Sequence, residues 1–196
     1  MELLIYIIIT NLVISIILLY FVFNLLKRID ILTLTDKTNN PALVNITPKI
    51  KKTKIELLND EKYYYYVLNI ISSAKKEIDI IMFSIYKCKK TEDLIYELIN
   101  ARKRGVMIRV ILDGEVESNK LIKHLLSSER IPVKLAEHQR THNKLIIVDG
   151  EIVVLGSHNW TDKALFENRE SSVAITDKKI VNKENDYFES VWRSMS

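Results

Sequence analysis

A single cysteine, Cys88, stands in 196 residues, which excludes an internal disulfide and any zinc site built from several cysteines. It is only weak support for a reducing compartment. No Walker-type glycine loop and no His-Glu-x-x-His pair occurs, so neither a triphosphate cradle nor a zinc-protease helix is written here. His138 and His142 are four apart, but Gln139, Arg140 and Thr141 between them carry no helical or ligand signature. No metal and no cofactor is expected. No internal repeat is visible. The other absence is charge: residues 3–26, LLIYIIITNLVISIILLYFVFNLL, hold none.

That uncharged run would make about 36 Å of helix, against a bilayer core of about 30 Å. Eighteen of its 24 residues are Leu, Ile, Val or Phe, too many for Thr10, Asn11, Ser15 and Asn24 to offset. A cleavable signal would want a basic start, a shorter apolar core and a small-residue cleavage site; here Glu2 is the only charge before the run. Residues 1–27 are therefore expected to be a transmembrane anchor, with residues 3–26 in the membrane. Residues 28–53 are polar, are broken by Asn39-Asn40-Pro41 and Thr47-Pro48, and are expected to be a basic linker. Seven Lys or Arg against Asp30 and Asp36 lie between 27 and 54, so the net charge of +4 sits beside the membrane, not on the rest. Lys49, Lys51, Lys52 and Lys54 suit either anionic lipid or a solvated linker. Lys27 and Arg28 directly follow the run, which places the domain 54–196 on the cytoplasmic side of a single-pass protein.

From Lys54 the pattern alternates, and the 47 % hydrophobic content suffices for a sizeable core. Strands are expected at KIELL, EIDIIMFSIY (77–86), VMIRVIL (106–112), VKLA (133–136), LIIV (145–148), IVVLG (152–156) and SVAIT (172–176). Helices are expected over 60–76, 91–104 with Thr91 as N-cap and Gly105 as stop, 118–128, and 180–195. The Tyr63–Tyr66 run reads at helical spacing as half core and half surface rather than as an aromatic platform. The expectation is an α/β domain: a mixed, mostly parallel sheet flanked by helices.

The stretch THNKLIIVDG (141–150) sets a histidine and a lysine at the mouth of an apolar strand. Asp149-Gly150 is a two-residue hairpin signal, which pairs Val148 with Glu151 and Lys144 with Leu155. Without a bulge, His142, Lys144, Ser157 and Asn159 then project from one side of the sheet. Lysine is a usual phosphate partner, serine and asparagine are neutral donors, and histidine alone changes protonation near neutral pH. His158 falls on the other face as a packing residue, and Trp160 reads as packing too.

HNKLIIVD fits His-x-Lys-x-x-x-x-Asp, and GSHNWT (156–161), NRE (168–170) and FESVW (188–192) follow it. With AKKEIDIIMFSIY and RGVMIRVILD, this resembles the phospholipase D superfamily, in particular its single-motif members: small bacterial endonucleases and the mitochondrial cardiolipin hydrolase group. The resemblance implies a phospholipase D-like fold and metal-independent phosphodiester hydrolysis. It implies His142 as nucleophile, forming a phosphohistidine, with Lys144, Ser157 and Asn159 holding phosphoryl oxygens. Glu170 matches the acid that orients the histidine. Asp149 belongs to the catalytic motif, yet the pairing puts it in the turn, where its expected role is structural. Family chemistry needs two histidines, so one motif implies a homodimer with the site at the two-fold interface. The animal relatives that cleave RNA carry a cysteine-rich zinc element; this chain, with Cys88 alone, does not, and their function is not transferred.

A membrane-anchored endonuclease is the leading expectation. A phospholipase acting on a lipid such as cardiolipin is the alternative, favoured by the anchor and by a domain without net basic charge. A non-catalytic phosphate-binding module is the third.

Overall fold

A computed structural model describes residues 55–195, which fall within one compact unit, Lys52–Ser196. The expected anchor and linker lie outside the described residues. Among the described residues no helix is long and apolar enough to cross a membrane.

In chain order the elements are β1 (Ile55–Asn59), α1 (Lys62–Ser73), β2 (Glu77–Met82), α2 (Lys89–Lys103), β3 (Met107–Asp113), α3 (Glu117–Ser128), β4 (Val133–Ala136), β5 (Lys144–Val148), β6 (Ile152–Gly156), β7 (Ser171–Ile175) and α4 (Lys178–Ser194), with one π-helical turn at Lys163–Glu167 before β7. Seven strands form one sheet in the order β1-β7-β6-β5-β2-β3-β4. The expected mostly parallel sheet is corrected here. Only β2–β3 and β3–β4 run parallel, and the other four pairings are antiparallel. The strand–helix alternation that implies parallel pairing holds only from β2 to β4. Beyond it the chain turns back on itself, β5 to β6 to β7, and β1 joins the far side.

Period-two alternation sorts the strands between two layers. Ile78, Ile80, Met82, Ile146, Val148 and Val154 enter the larger core with Tyr63, Val67, Ile70 and Ile71 of α1, Leu94 and Leu98 of α2, and Ile122 and Leu126 of α3. Ile81, Ile111, Leu145, Ile147 and Val153 point the other way, onto Val181 and Phe188 of α4. β2 and β5 are central and buried on both faces, which explains the Leu-Ile-Ile-Val run of β5 and the apolar residues that flank the single buried Asp79 in β2. An inward-facing ion pair pins α4: Arg109 reaches Asp79 at 2.8 Å and Glu189 at 2.7 Å, under the rings of Phe188 and Trp192. The N-cap of α2 is Cys88, not Thr91; the Thr91 hydroxyl accepts from the Cys88 amide at 2.9 Å in a capping box.

The β5–β6 hairpin differs by one residue from its expected register. Asp149 and Gly150 both take left-handed backbone, φ 56° and 62°, but Glu151 joins the loop and Val148 pairs with Ile152. Asp149 is therefore at the far end of β5 from Lys144. Its carboxylate accepts from three successive backbone amides between α1 and β2: Lys75 at 3.0 Å, Lys76 at 2.7 Å and Glu77 at 3.1 Å. It ties the hairpin tip to the start of β2. Asp149→Asn keeps a residue that tolerates the turn but loses the charge, and we expect it to cost about 1–3 kcal/mol in urea unfolding while turnover per folded molecule stays near wild type. A stable but inactive variant would contradict that assignment.

Candidate active site

β2, β3, β4 and β6 end, and β5 and β7 begin, at one edge of the sheet, so their flanking segments meet there. In open α/β sheets this carboxyl edge is the usual ligand site. Lys144 opens β5 and is buried to 6 % exposure, while His142, two residues earlier, is exposed. Lys144 Nζ donates to the His142 carbonyl at 2.8 Å and lies 3.4 Å and 3.5 Å from the ring nitrogens Nδ1 and Nε2. Burial lowers the Lys144 pKa, opposed by the negative charge of Glu170. The ring of Phe83, where the chain leaves β2, is 4.5 Å from the His142 ring and 4.9 Å from Lys144 Nζ. Lysine, histidine and phenylalanine thus form one packed group at the mouth of β5.

The other expected residues come from the end of β6. Gly156 has no room for a side chain: a Cβ there would lie 2.2 Å from Ser172 Oγ. That close approach brings Ser157 against β7, where its hydroxyl donates to Glu170 Oε2 and accepts from the Ser171 amide at 3.1 Å. Asn168 donates to Glu170 Oε1 at 3.1 Å. Glu170 therefore holds Ser157 and Asn168, and no hydrogen bond joins it to His142 among the described residues. Asn159 is half-buried, and its Oδ1 is buried with no hydrogen-bond partner among the described residues.

The shifted register changes why these groups meet. In a flat continuation of the hairpin, Lys144 would face Gly156, and His142 would face His158 rather than Ser157. The chain instead leaves β6 after Gly156, and side chains converge as it crosses the sheet edge. His158 is fully buried between Ser172 Oγ at 2.7 Å and the Asp60 carbonyl at 3.0 Å, stacked 4.2 Å from Tyr63. Both ring nitrogens are occupied, so it packs as expected, although on the face of Lys144. Trp160 is also buried, its indole donating to Tyr63 Oη at 3.2 Å.

Several supporting residues escaped the sequence reading. Asp113, fully buried at the end of β3, accepts from the Thr141 amide at 3.0 Å and the Glu115 amide at 3.1 Å, and so holds the segment that carries His142. Asn119, also fully buried, accepts from the Ile85 amide at 3.0 Å and donates to the Phe83 and Asp113 carbonyls, both at 2.9 Å. The Phe83 amide donates to the Asn143 carbonyl at 2.9 Å. Their signals were present but weak: an aspartate closing the apolar run VILD, and an asparagine in the first turn of a helix. Asp60, at φ 53°, accepts from Arg169 and from the Glu170 amide, and so fixes the acid's backbone.

A buried lysine beside an exposed histidine, with hydroxyl, amide and carboxylate groups gathered at a sheet edge, is an arrangement whose chemistry suits a phosphate group, carried on an α/β scaffold. Comparison with known proteins narrows the class. Residues 67–192 match the family described as "Cardiolipin synthase, PLD-like domain". A phospholipase D of Rickettsia felis is 30 % identical over 158 residues, covering 74 % of this chain and 77 % of that protein. A mitochondrial cardiolipin hydrolase of Chlamydomonas reinhardtii is 29 % identical over 129 residues, 64 % of this chain, and the match spans only 55 % of the algal protein's length. Among solved structures, the phospholipase D family member Nuc from Salmonella typhimurium superposes with a TM-score of 0.65 at 24 % identity, covering 72 % of this chain and 95 % of Nuc. NucT from Helicobacter pylori gives 0.63, also at 24 % identity, covering 72 % and 97 %. The two structures establish the fold. The chain belongs to the phospholipase D-like family of phosphodiesterases.

Burial pushes His158 below its ordinary pKa of 6.5, outweighing the Asp60 carbonyl and the charges of Glu170 and Asp60. The folded state keeps it neutral, whereas the unfolded chain takes up a proton as pH falls through about 6.5, so stability declines on acidification below that value. We expect His158→Asn to flatten the dependence of urea-unfolding free energy between about pH 6.5 and 5. An unchanged slope would contradict a neutral buried His158.

Proposed function

We propose that the domain is a metal-independent phosphodiesterase that hydrolyses nucleic acid through a covalent phosphohistidine at His142. The observation that carries this reading is Lys144: a buried cation, 2.8 Å from the His142 carbonyl and beside its ring, presents fixed positive charge where a phosphoryl group attacked by His142 would sit. An imidazole nitrogen of His142 attacks phosphorus, forming the P–N bond as the P–O bond to the leaving group breaks. Lys144 and Asn159 donate to the non-bridging oxygens, and Ser157 joins them when its single hydroxyl proton turns from Glu170 to the phosphoryl group. Water then displaces the histidine and releases the phosphomonoester.

The leaving oxygen needs a proton from an acid. His158 cannot supply it, because Ser172 and Asp60 occupy both its nitrogens. We assign that step to His142 of a second copy across a two-fold axis, an isologous dimer. Nucleic acid is favoured as substrate by the open polar edge: His142 and Ser157 are exposed, and the exposed Arg140 adds a cation 5.6 Å over the Phe83 ring. Phospholipid is the second reading, favoured by the names of the rickettsial and algal relatives.

We expect His142→Ala to lower turnover at least about 10³-fold, close to 4 kcal/mol of barrier, with an unchanged circular-dichroism spectrum. Wild-type activity should persist in excess chelator, and mixing in inactive His142→Ala chains should depress it through heterodimers. Single-stranded DNA, RNA, duplex DNA and cardiolipin vesicles offered side by side separate the substrates. Near-native turnover by His142→Ala, or activity restored only by added Mg²⁺ or Zn²⁺, would refute the mechanism.

A further inference from the structure

A cleft of about 410 Å³ opens between the outer strand β4, the segment 137–141 and the C-terminal half of α4. It starts where the site ends. Arg140 and Thr141 line it, and the Arg140 guanidinium covers the Phe83 ring, which also meets His142 and Lys144. The Thr141 amide is tied to buried Asp113, so this shared wall is held from within the core. A cavity of this size takes one small organic group rather than a polymer.

The lining is mixed. Tyr187 of α4, 46 % exposed, offers an aromatic face, and Leu135, Val191 and Met195 supply apolar surface. Lys123 of α3 brings a cation to the rim, whereas Arg140 is already paired with Glu115 at 3.1 Å and Asp113 at 3.6 Å, and Glu137 adds a carboxylate to the lining. Lys134 does not add to the rim cation, since its Nζ is spent on the Trp192 and Met195 carbonyls at the end of α4. Among the described residues β4 pairs with β3 alone, so its outer backbone groups face this side of the sheet.

An aromatic face, backbone donors and acceptors, and a rim cation next to a phosphate site match a nucleoside with its flanking phosphate better than an acyl chain. We infer that this cleft takes the nucleoside adjoining the scissile phosphate, its base against Tyr187 and the next phosphate against Lys123. The inference rests on the nucleic-acid reading above. A base must leave its stack to enter, which is easier in a single strand than in a duplex, so single strands are the better substrate.

The test compares kcat/KM for a single-stranded oligonucleotide with that for bis(p-nitrophenyl) phosphate, which needs only the catalytic residues, using full-length wild type, Tyr187→Ala, Tyr187→Phe and Lys123→Ala. We expect the oligonucleotide-to-small-diester ratio to fall about tenfold in Tyr187→Ala, the scale of a lost base–aromatic stack, and to recover in Tyr187→Phe. Lys123→Ala should lower the ratio further as salt is reduced. Wild type cutting oligonucleotides with a ratio that neither alanine variant moves would overturn the cleft assignment alone. Equal loss on both substrates in Tyr187→Ala would make that residue structural and overturn it too. Wild type hydrolysing the small diester and cardiolipin vesicles but no oligonucleotide would overturn the nucleic-acid reading, and the cleft assignment with it.

Discussion

A lysine ammonium buried at the first residue of a central strand is costly unless polar groups receive it. Lys144 meets that requirement with the His142 carbonyl, the face of Phe83 and the charge of Glu170. None of these saturates it, because an ammonium has three donors and only one bond here is short. The site is thus built around a cation held partly out of water with capacity left for an anion. A strand of only Leu, Ile and Val behind it, bonded on both sides, prevents the lysine from relaxing into solvent with its backbone.

The rest of the edge keeps His142 beside that cation. His142 lies outside regular structure, and its neighbours are fixed by long-range bonds: Thr141 to Asp113, and Asn143 to Phe83. Asn119 joins the ends of β2 and β3, so these two anchors move as one. On the other side Asp60, Glu170 and Ser157 form a chain from the end of β1 through β7 to the end of β6. Asp149 works at the opposite edge, and its place in the His-x-Lys-x-x-x-x-Asp motif follows from the length of β5: a strand that begins at the site ends at the hairpin tip.

Much of this was legible in the sequence, for identifiable reasons. Strong periodicity and turn residues placed all seven strands and four helices to within a few residues, and THNKLIIVDG announced the site because titratable groups on an apolar strand demand an explanation. The sheet's direction was misread because β–α alternation is a local pattern, whereas the pairing of β5 with β2 and of β1 with β7 is not. The hairpin register was missed by one residue because Asp-Gly specifies left-handed backbone but not whether Glu151 pairs or bulges. Asp113 and Asn119 stayed hidden because their roles depend on partners 28 to 36 residues away in the chain, as with Asp113 to Thr141 and Asn119 to Phe83. The membrane anchor and its orientation rest on residues 1–54 and lie outside the described fold.

The central claim is that the exposed histidine beside the buried lysine becomes covalently bonded to phosphorus. The most direct measurement is rapid quenching of the enzyme during turnover, followed by peptide mass spectrometry under conditions that preserve phosphoramidate bonds. The account predicts a phosphoryl-linked substrate fragment on His142, absent from the Lys144→Ala protein and never on the doubly bonded His158. An active enzyme that shows no adduct on His142, or carries its adduct on another residue, would contradict it.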